Sequence, residues 1–181
     1  LAIFGYVFLK EKISKLTLIC IVTAVVGIIL MLGSTLTLGQ MTGNLVAFIM
    51  PISFAILILI VRKYPKVDMI PLQLVAGIFA TLIGLFMSPS IIVSSSDIFL
   101  GFIAGFFQVG LGFILITIGA RSTPSAIVGI IMLTEAVLGP FWAWMFVNEI
   151  PPIIVLIGGA VVITAVVTQF LSTLIVQKLA K

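Results

Sequence analysis

Histidine is absent from this chain, cysteine occurs once, at Cys20, and only 8% of the residues are charged. The first two facts exclude a Cys/His metal cluster and an internal disulfide, and with them structural zinc and thiol exchange. The third excludes a soluble fold, because a soluble domain carries about a quarter charged residues, whereas 62% of this chain is hydrophobic and its mean hydropathy is +1.48. No Gly-x-Ser-x-Gly elbow and no Gly-x-x-x-x-Gly-Lys-Ser/Thr loop occurs. Asp68 and Asp97 fall toward opposite surfaces once the chain is threaded through a bilayer, too far apart to act as an acid pair. No catalytic residue, metal or cofactor is therefore expected, and any work must draw on a gradient or a partner. A net charge of +4 and an isoelectric point near 9.5 would point to nucleic acid in a soluble protein. Here the bases sit in short clusters between apolar runs, as cytoplasmic loops do, so no nucleic-acid partner is expected.

What the chain does have is long apolar runs. Leu1 to Leu9 precede the first charges and are too short to cross a bilayer, which needs about 20 apolar residues. With no initiating Met, the start is expected to be a truncation inside a span. A signal peptide is not expected, because Lys10-Glu11-Lys12 follows in place of a small-residue cleavage site. Six runs of spanning length follow: Leu16 to Leu32, Leu45 to Val61, Pro71 to Met87, Ile98 to Gly119, Pro124 to Val147, and Pro151 to Val176. Barrel strands would be about ten residues of alternating polarity, so these continuous runs predict helices. Asp97 and Thr123 are expected as N-caps, and Pro71, Pro124 and Pro151 in first turns.

Alternating the spans puts Lys10, Lys12, Lys15, Arg62, Lys63, Lys66, Arg121, Lys178 and Lys181 on one side. The loops Thr35 to Asn44, Ser88 to Asp97 and Asn148 to Pro152, which hold no base, fall on the other. Basic residues beside spans are retained in the cytoplasm. The expected topology is multi-pass in a cell (plasma or inner) membrane, with a cytoplasmic C-terminus and tail over 178–181.

Two segments resemble each other. Phe4-Gly5-Tyr6-Val7-Phe8-Leu9-Lys10-Glu11 and Phe141-Trp142-Ala143-Trp144-Met145-Phe146-Val147-Asn148-Glu149 each end an aromatic-rich span with Glu at the interface, before re-entry through another apolar span. Five spans separate Glu11 from Glu149, and an odd number inverts the orientation. Thr134-Glu135-Ala136-Val137-Leu138-Gly139-Pro140, Asn148-Glu149-Ile150-Pro151-Pro152 and Gly158-Gly159-Ala160 together resemble the "Glu-Pro... Gly-Glu... Gly" signature of the EamA-type permeases of the drug/metabolite transporter superfamily. Glu11 with Gly27 resembles the end of that family's first repeat. Arg62-Lys63 leading to Val67-Asp68-Met69 resembles its loop after helix six. Ala136, Asn148 and Cys20 depart from the common Pro, Gly and Gly.

The resemblance implies an all-α polytopic helix bundle of ten helices in two inverted five-helix repeats. This chain would hold about six complete transmembrane helices and one partial one. Residues 1–36 would end the first repeat with half of helix four and helix five, and 43–177 would form the second, helices six to ten. The missing N-terminal half would be a partner within the same chain. The implied activity is a permease for a small organic metabolite or drug-like solute.

Glu135 is the only ionisable group at mid-depth in a span, about eleven residues or 16 Å in. A charge there costs about 2.5–3.5 kcal/mol on insertion scales. It either lines a cavity, binding a cationic group of a solute or exchanging a proton, or is protonated and hydrogen-bonded for packing alone. Gln108 among Gly101, Gly105 and Gly112 shares one helical face, and Gln73, Gly77, Thr81, Gly84 and Ser88 share another. Small residues are the usual means of helix contact in lipid, while a mid-span amide needs hydrogen-bond partners, so Gln108 and Gln73 are candidate cavity groups. Trp142 shares the face of Glu135 and is a candidate aromatic wall, whereas Trp144 reads as an interfacial anchor. Pro51 and Pro140 remove backbone bonds inside spans and kink them. Glu11 and Glu149 are either gating groups or solvated loop charges, and Gly158 is part of the motif. The expected partners are a solute, the lipid bilayer and a coupled proton or other ion. The alternative is a structural or regulatory membrane subunit that moves nothing.

Overall fold

The computed structural model describes residues 1–33, 43, 46, 49–88 and 92–179. Among them the regular elements are all helical: α1 (Ala2–Leu9), α2 (Lys15–Leu32), α3 (Ile49–Lys63), α4 (Ile70–Met87), α5 (Ser95–Ala120), α6 (Ser125–Val147) and α7 (Ile153–Leu179). Five of them, α2, α4, α5, α6 and α7, are long and apolar enough to cross a membrane. Helices suit that role because every interior backbone donor and acceptor is satisfied within the segment, away from water. Exposed hydroxyls inside these helices follow the same rule: Thr81, Thr164 and Thr168 donate to the carbonyls of Gly77, Ala160 and Thr164, each four residues back. The short first run becomes α1. The run expected from Leu45 is described from Ile49 as α3, with Gly43 and Val46 also helical. The rest of the Thr35 to Asn44 loop, Leu45 itself, the middle of the Ser88 to Asp97 loop and Lys181 lie outside the described residues.

Helix ends correct several sequence expectations. The N-cap of α5 is Ser94, whose Oγ accepts from the Asp97 backbone N–H at 3.1 Å and donates to Asp97 Oδ2 at 2.7 Å. Asp97 is thus the third helical residue of a capping box rather than the cap itself. Thr123 does not cap α6. Its N–H is spent on the Gly119 carbonyl, the N-cap is Pro124, and no local side chain serves the helix start. Pro71 does lie in the first turn of α4, while Pro151 precedes α7, which starts at Ile153. Ser14 caps α2 by accepting from Thr17 N–H at 3.0 Å.

The chain divides into two compact units, Leu1–Leu59 with Pro124–Lys181, and Ile60–Thr123. In the first, the core is the crossing of α2 and α7. Positions buried on α2 are Thr17, Cys20, Ala24, Gly27 and Met31, and those on α7 include Val155, Gly158, Val162, Ala165 and Gln169. Both sets step by three and four, which keeps them on one helical face. Gly27 and Gly158 sit where the backbones approach: a Cβ on Gly27 would lie 2.7 Å from the Gly158 carbonyl oxygen, and one on Gly158 would lie 2.6 Å from that of Gly27. Small residues permit this approach, and in lipid close packing is what drives association. On one side of the crossing Cys20, Ala24 and Ala165 cluster with Ile130 of α6, and on the other Met31 clusters with Val155 and Val162. The helices therefore run antiparallel.

In the second unit α4 leans on the end of α5. Gln73 Nε2 donates to the Phe113 carbonyl at 3.0 Å and to Thr117 Oγ1 at 2.6 Å. At the adjoining turns Arg121 Nη2 meets Asp68 Oδ1 at 2.8 Å, and Arg62 Nη1 donates to the Arg121 carbonyl at 2.9 Å. The Asp68 side chain is 63% exposed, so this ion pair positions the turn and contributes no more than about 1 kcal/mol.

The middle of α5 departs from the α-helix. Ala104–Leu111 is a π-helical stretch, in which each turn is widened by one residue. Two glycines accommodate it: a Cβ on Gly110 would stand 3.3 Å from the Gly105 carbonyl oxygen five residues back, and one on Gly112 would stand 4.0 Å from that of Phe107.

Candidate functional site

The α1 to α2 turn begins where α1 ends. Lys10 takes the left-handed conformation, with φ 54 and ψ 30, and its N–H bonds to the Gly5 carbonyl. The N–H of Glu11 joins the same carbonyl at 3.2 Å. The α6 to α7 turn does the same: Asn148 is left-handed, with φ 57 and ψ 26, and bonds to the Ala143 carbonyl, which Glu149 N–H joins at 3.4 Å. Left-handed termination of this kind is a common helix stop. These two are the only described residues other than glycine with positive φ. The match continues through the following helices at one constant offset: Thr17 with Val155, Cys20 with Gly158, Ala24 with Val162, Gly27 with Ala165, and Met31 with Gln169.

The two glutamates meet different surroundings. Glu11 is half-buried, and its Oε2 accepts from both the backbone N–H and the Oγ of Ser125, at 2.8 and 2.6 Å. It thus serves the start of α6 from another helix, where unpaired N–H groups and the helix dipole favour a carboxylate. The expected solvated or gating charge at Glu11 is, in the structure, a fixed helix-start acceptor. Ser125 is fully buried. Gly5 leaves room for this arrangement, since a Cβ there would collide with Ser125 Oγ. Glu149 is exposed.

Glu135 lies on α6 and is exposed. Trp142 follows it by seven residues, about 10 Å along the axis, and is 47% exposed. Its ring stacks on Phe146 at 5.7 Å and meets Phe141 edge-on at 5.4 Å. Pro140 interrupts α6 between them and lines an apolar cavity of about 240 Å³ with Met31, Val137, Trp144, Val155 and Gly159. Trp144, read as an anchor, is therefore also a cavity wall.

In the other unit Gln108 is exposed in the middle of the π-helical stretch, a feature often found at functional positions. Gln73 is not brought to Gln108; its amide nitrogen is engaged with Phe113 and Thr117, and its Oε1 is buried without a partner. Gly101 and Gly105 have no described residue within 4 Å of a Cβ placed on them. Pro51 is exposed on the third residue of described α3.

A second cavity, of about 340 Å³, opens at the other end of the α2/α7 crossing, lined by Glu11, Lys12, Thr17, Gln169, Ser172 and Thr173 among others. Ser125, Thr17 and Gln169 were not singled out from the sequence. Their one signal is a polar residue on the buried face of an apolar helix. Among the described residues no group of His, Cys, Asp and Glu could hold a metal ion.

Residues 38–171 match the family model of the EamA-like transporter family. Comparison with curated proteins and with solved structures gives no match.

Proposed function

Since the chain belongs to the EamA-like transporter family, we propose that it moves a small organic metabolite or drug-like solute across the membrane by alternating access. Members of this family are membrane transporters rather than enzymes, and the apolar helices make this a multi-pass membrane protein. The observation that carries the finer reading is the pair of matched turns: Lys10-Glu11 and Asn148-Glu149 end their helices alike, and α2 and α7, which follow them, cross antiparallel through matched positions. Two copies of one hairpin in opposite orientation give two access states of similar energy, which is what alternating access requires. In this reading 1–36 ends a first repeat whose remainder precedes the chain, and 43–177 is the second. The C-terminus is cytoplasmic and the protein sits in the plasma or inner membrane, with a proton or other ion as the coupling partner.

Glu135 and the Trp142–Phe146 stack supply the groups for solute recognition. An exposed carboxylate inside a span needs a solute, a proton or a partner group opposite it, since lipid offers nothing to a charge. An exposed aromatic pair one to two turns further on offers an apolar wall. Gln108 supplies a mid-span amide and Gln73 an unpaired amide oxygen. Glu135→Gln in proteoliposomes is expected to reduce solute flux by tenfold or more while membrane insertion and yield are unchanged. Unaltered flux would remove Glu135 from the mechanism.

A further inference from the structure

Gln169 is the least expected residue on α7. It is only 3% exposed and lies about 13 Å before Lys178 along the helix, yet its Oε1 has no hydrogen-bond partner. Buried amide oxygens are nearly always paired, and each exception calls for a cause. This one borders the 340 Å³ cavity that also holds Glu11. All of the lining belongs to the first unit.

The hydrogen-bonding capacity left in that cavity is one-sided. The hydroxyl donors are spent: Ser172 Oγ and Thr173 Oγ1 both donate to the Gln169 carbonyl, at 2.8 and 2.9 Å, and Thr17 Oγ1 shares a proton with Ser14 Oγ at 2.8 Å. Gln169 Nε2 is directed to Thr173 Oγ1 at 3.3 Å. What remains on offer is acceptors: the Gln169 Oε1, hydroxyl lone pairs and the Glu11 carboxylate. Lys12, the one cation in the lining, is exposed. A cavity with spare acceptors, a carboxylate and apolar walls fits a ligand that brings several N–H donors and a positive charge.

We infer that this cavity is a binding site for the primary ammonium group of a small amine, held by Gln169 Oε1 and Glu11. It goes beyond the transport reading, because it is a second site about ten residues, or 15 Å, along α6 from Glu135. The cavity volume is at the low end of small-molecule pockets. The amine is either free in the aqueous phase or the headgroup of an ethanolamine lipid, since both present the same N–H donors.

The test is equilibrium binding of radiolabelled 2-phenylethylamine to the full-length protein in phosphatidylcholine nanodiscs, whose quaternary headgroup has no N–H to give. The expected result is saturable binding, at least tenfold weaker for the neutral isostere 2-phenylethanol and at least tenfold weaker in Gln169→Leu. Gln169→Glu keeps the shape and adds charge, so it should tighten binding, which keeps the test decisive if the leucine variant does not fold. Competition by phosphatidylethanolamine added to the discs assigns the lipid as the source, and its absence assigns the free amine. No saturable binding, equal binding of the alcohol, or indifference to both Gln169 variants overturns the site. None of these readouts depends on transport, so failure here is separable from failure at Glu135.

Discussion

Glu11 shows how one side chain can set a helix position. Its carboxylate takes two donors from buried Ser125 at the start of α6, and Pro124 at the N-cap offers no side-chain acceptor of its own. Removing Glu11 leaves both donors unpaired, a loss of about 1–3 kcal/mol, whereas an amide at the same place still accepts. Glu11→Ala is therefore expected to lower the melting temperature of the detergent-solubilised protein more than Glu11→Gln, and Ser125→Ala, which keeps the backbone donor paired, less than Glu11→Ala. Equal melting temperatures for all three would mean that the contact does not hold α6. The Glu11 interface position was legible in the sequence, because a charge ending an apolar run marks a span end. Its partner was not, because 114 residues separate the two and nothing in local patterning links them. Gln169 escaped for the opposite reason: a lone amide in a 27-residue apolar helix reads as an irregularity until its oxygen is found buried.

At the scale of elements, the crossing of α2 and α7 depends on backbone contact at Gly27 and Gly158. A leucine at either position must push against a carbonyl less than 3 Å away, and backbone cannot give as a flexible side chain can. Gly27→Leu or Gly158→Leu is expected to cost about 1–3 kcal/mol, read as a lower melting temperature together with loss of transport. Wild-type stability in both variants would contradict the packing described. The span limits were largely legible, since apolar length is set by the bilayer: Leu16 to Leu32 became Lys15–Leu32, and Pro71 to Met87 became Ile70–Met87. Helix starts were less so. Ser94 and Asp97 compete for one cap, and only the geometry decides between cap and third residue. The π-helical turn at Ala104–Leu111 left no mark in the pattern, because it changes hydrogen-bond register without changing composition. Its glycines read as a packing stripe, and two of them, Gly105 and Gly110, instead bring a widened turn's carbonyl close.

For the whole molecule, the bases that orient the spans and the matched turns carry the account together. The Glu11 turn has Lys10, Lys12 and Lys15 around it, while the Glu149 turn has none. Related hairpins with unlike charge insert in opposite directions, and opposed hairpins are what alternating access is built from. That claim separates a carrier from a structural subunit by kinetics. The decisive measurement is counter-transport in proteoliposomes holding the full-length protein: labelled solute outside, the same unlabelled solute loaded inside. An alternating-access carrier returns its site faster when loaded, so preloading is expected to raise initial uptake severalfold over empty vesicles, with saturation at high solute. Uptake no greater than in protein-free vesicles across amines, amino acids and drug-like cations, or uptake that neither saturates nor responds to preloading, would contradict it.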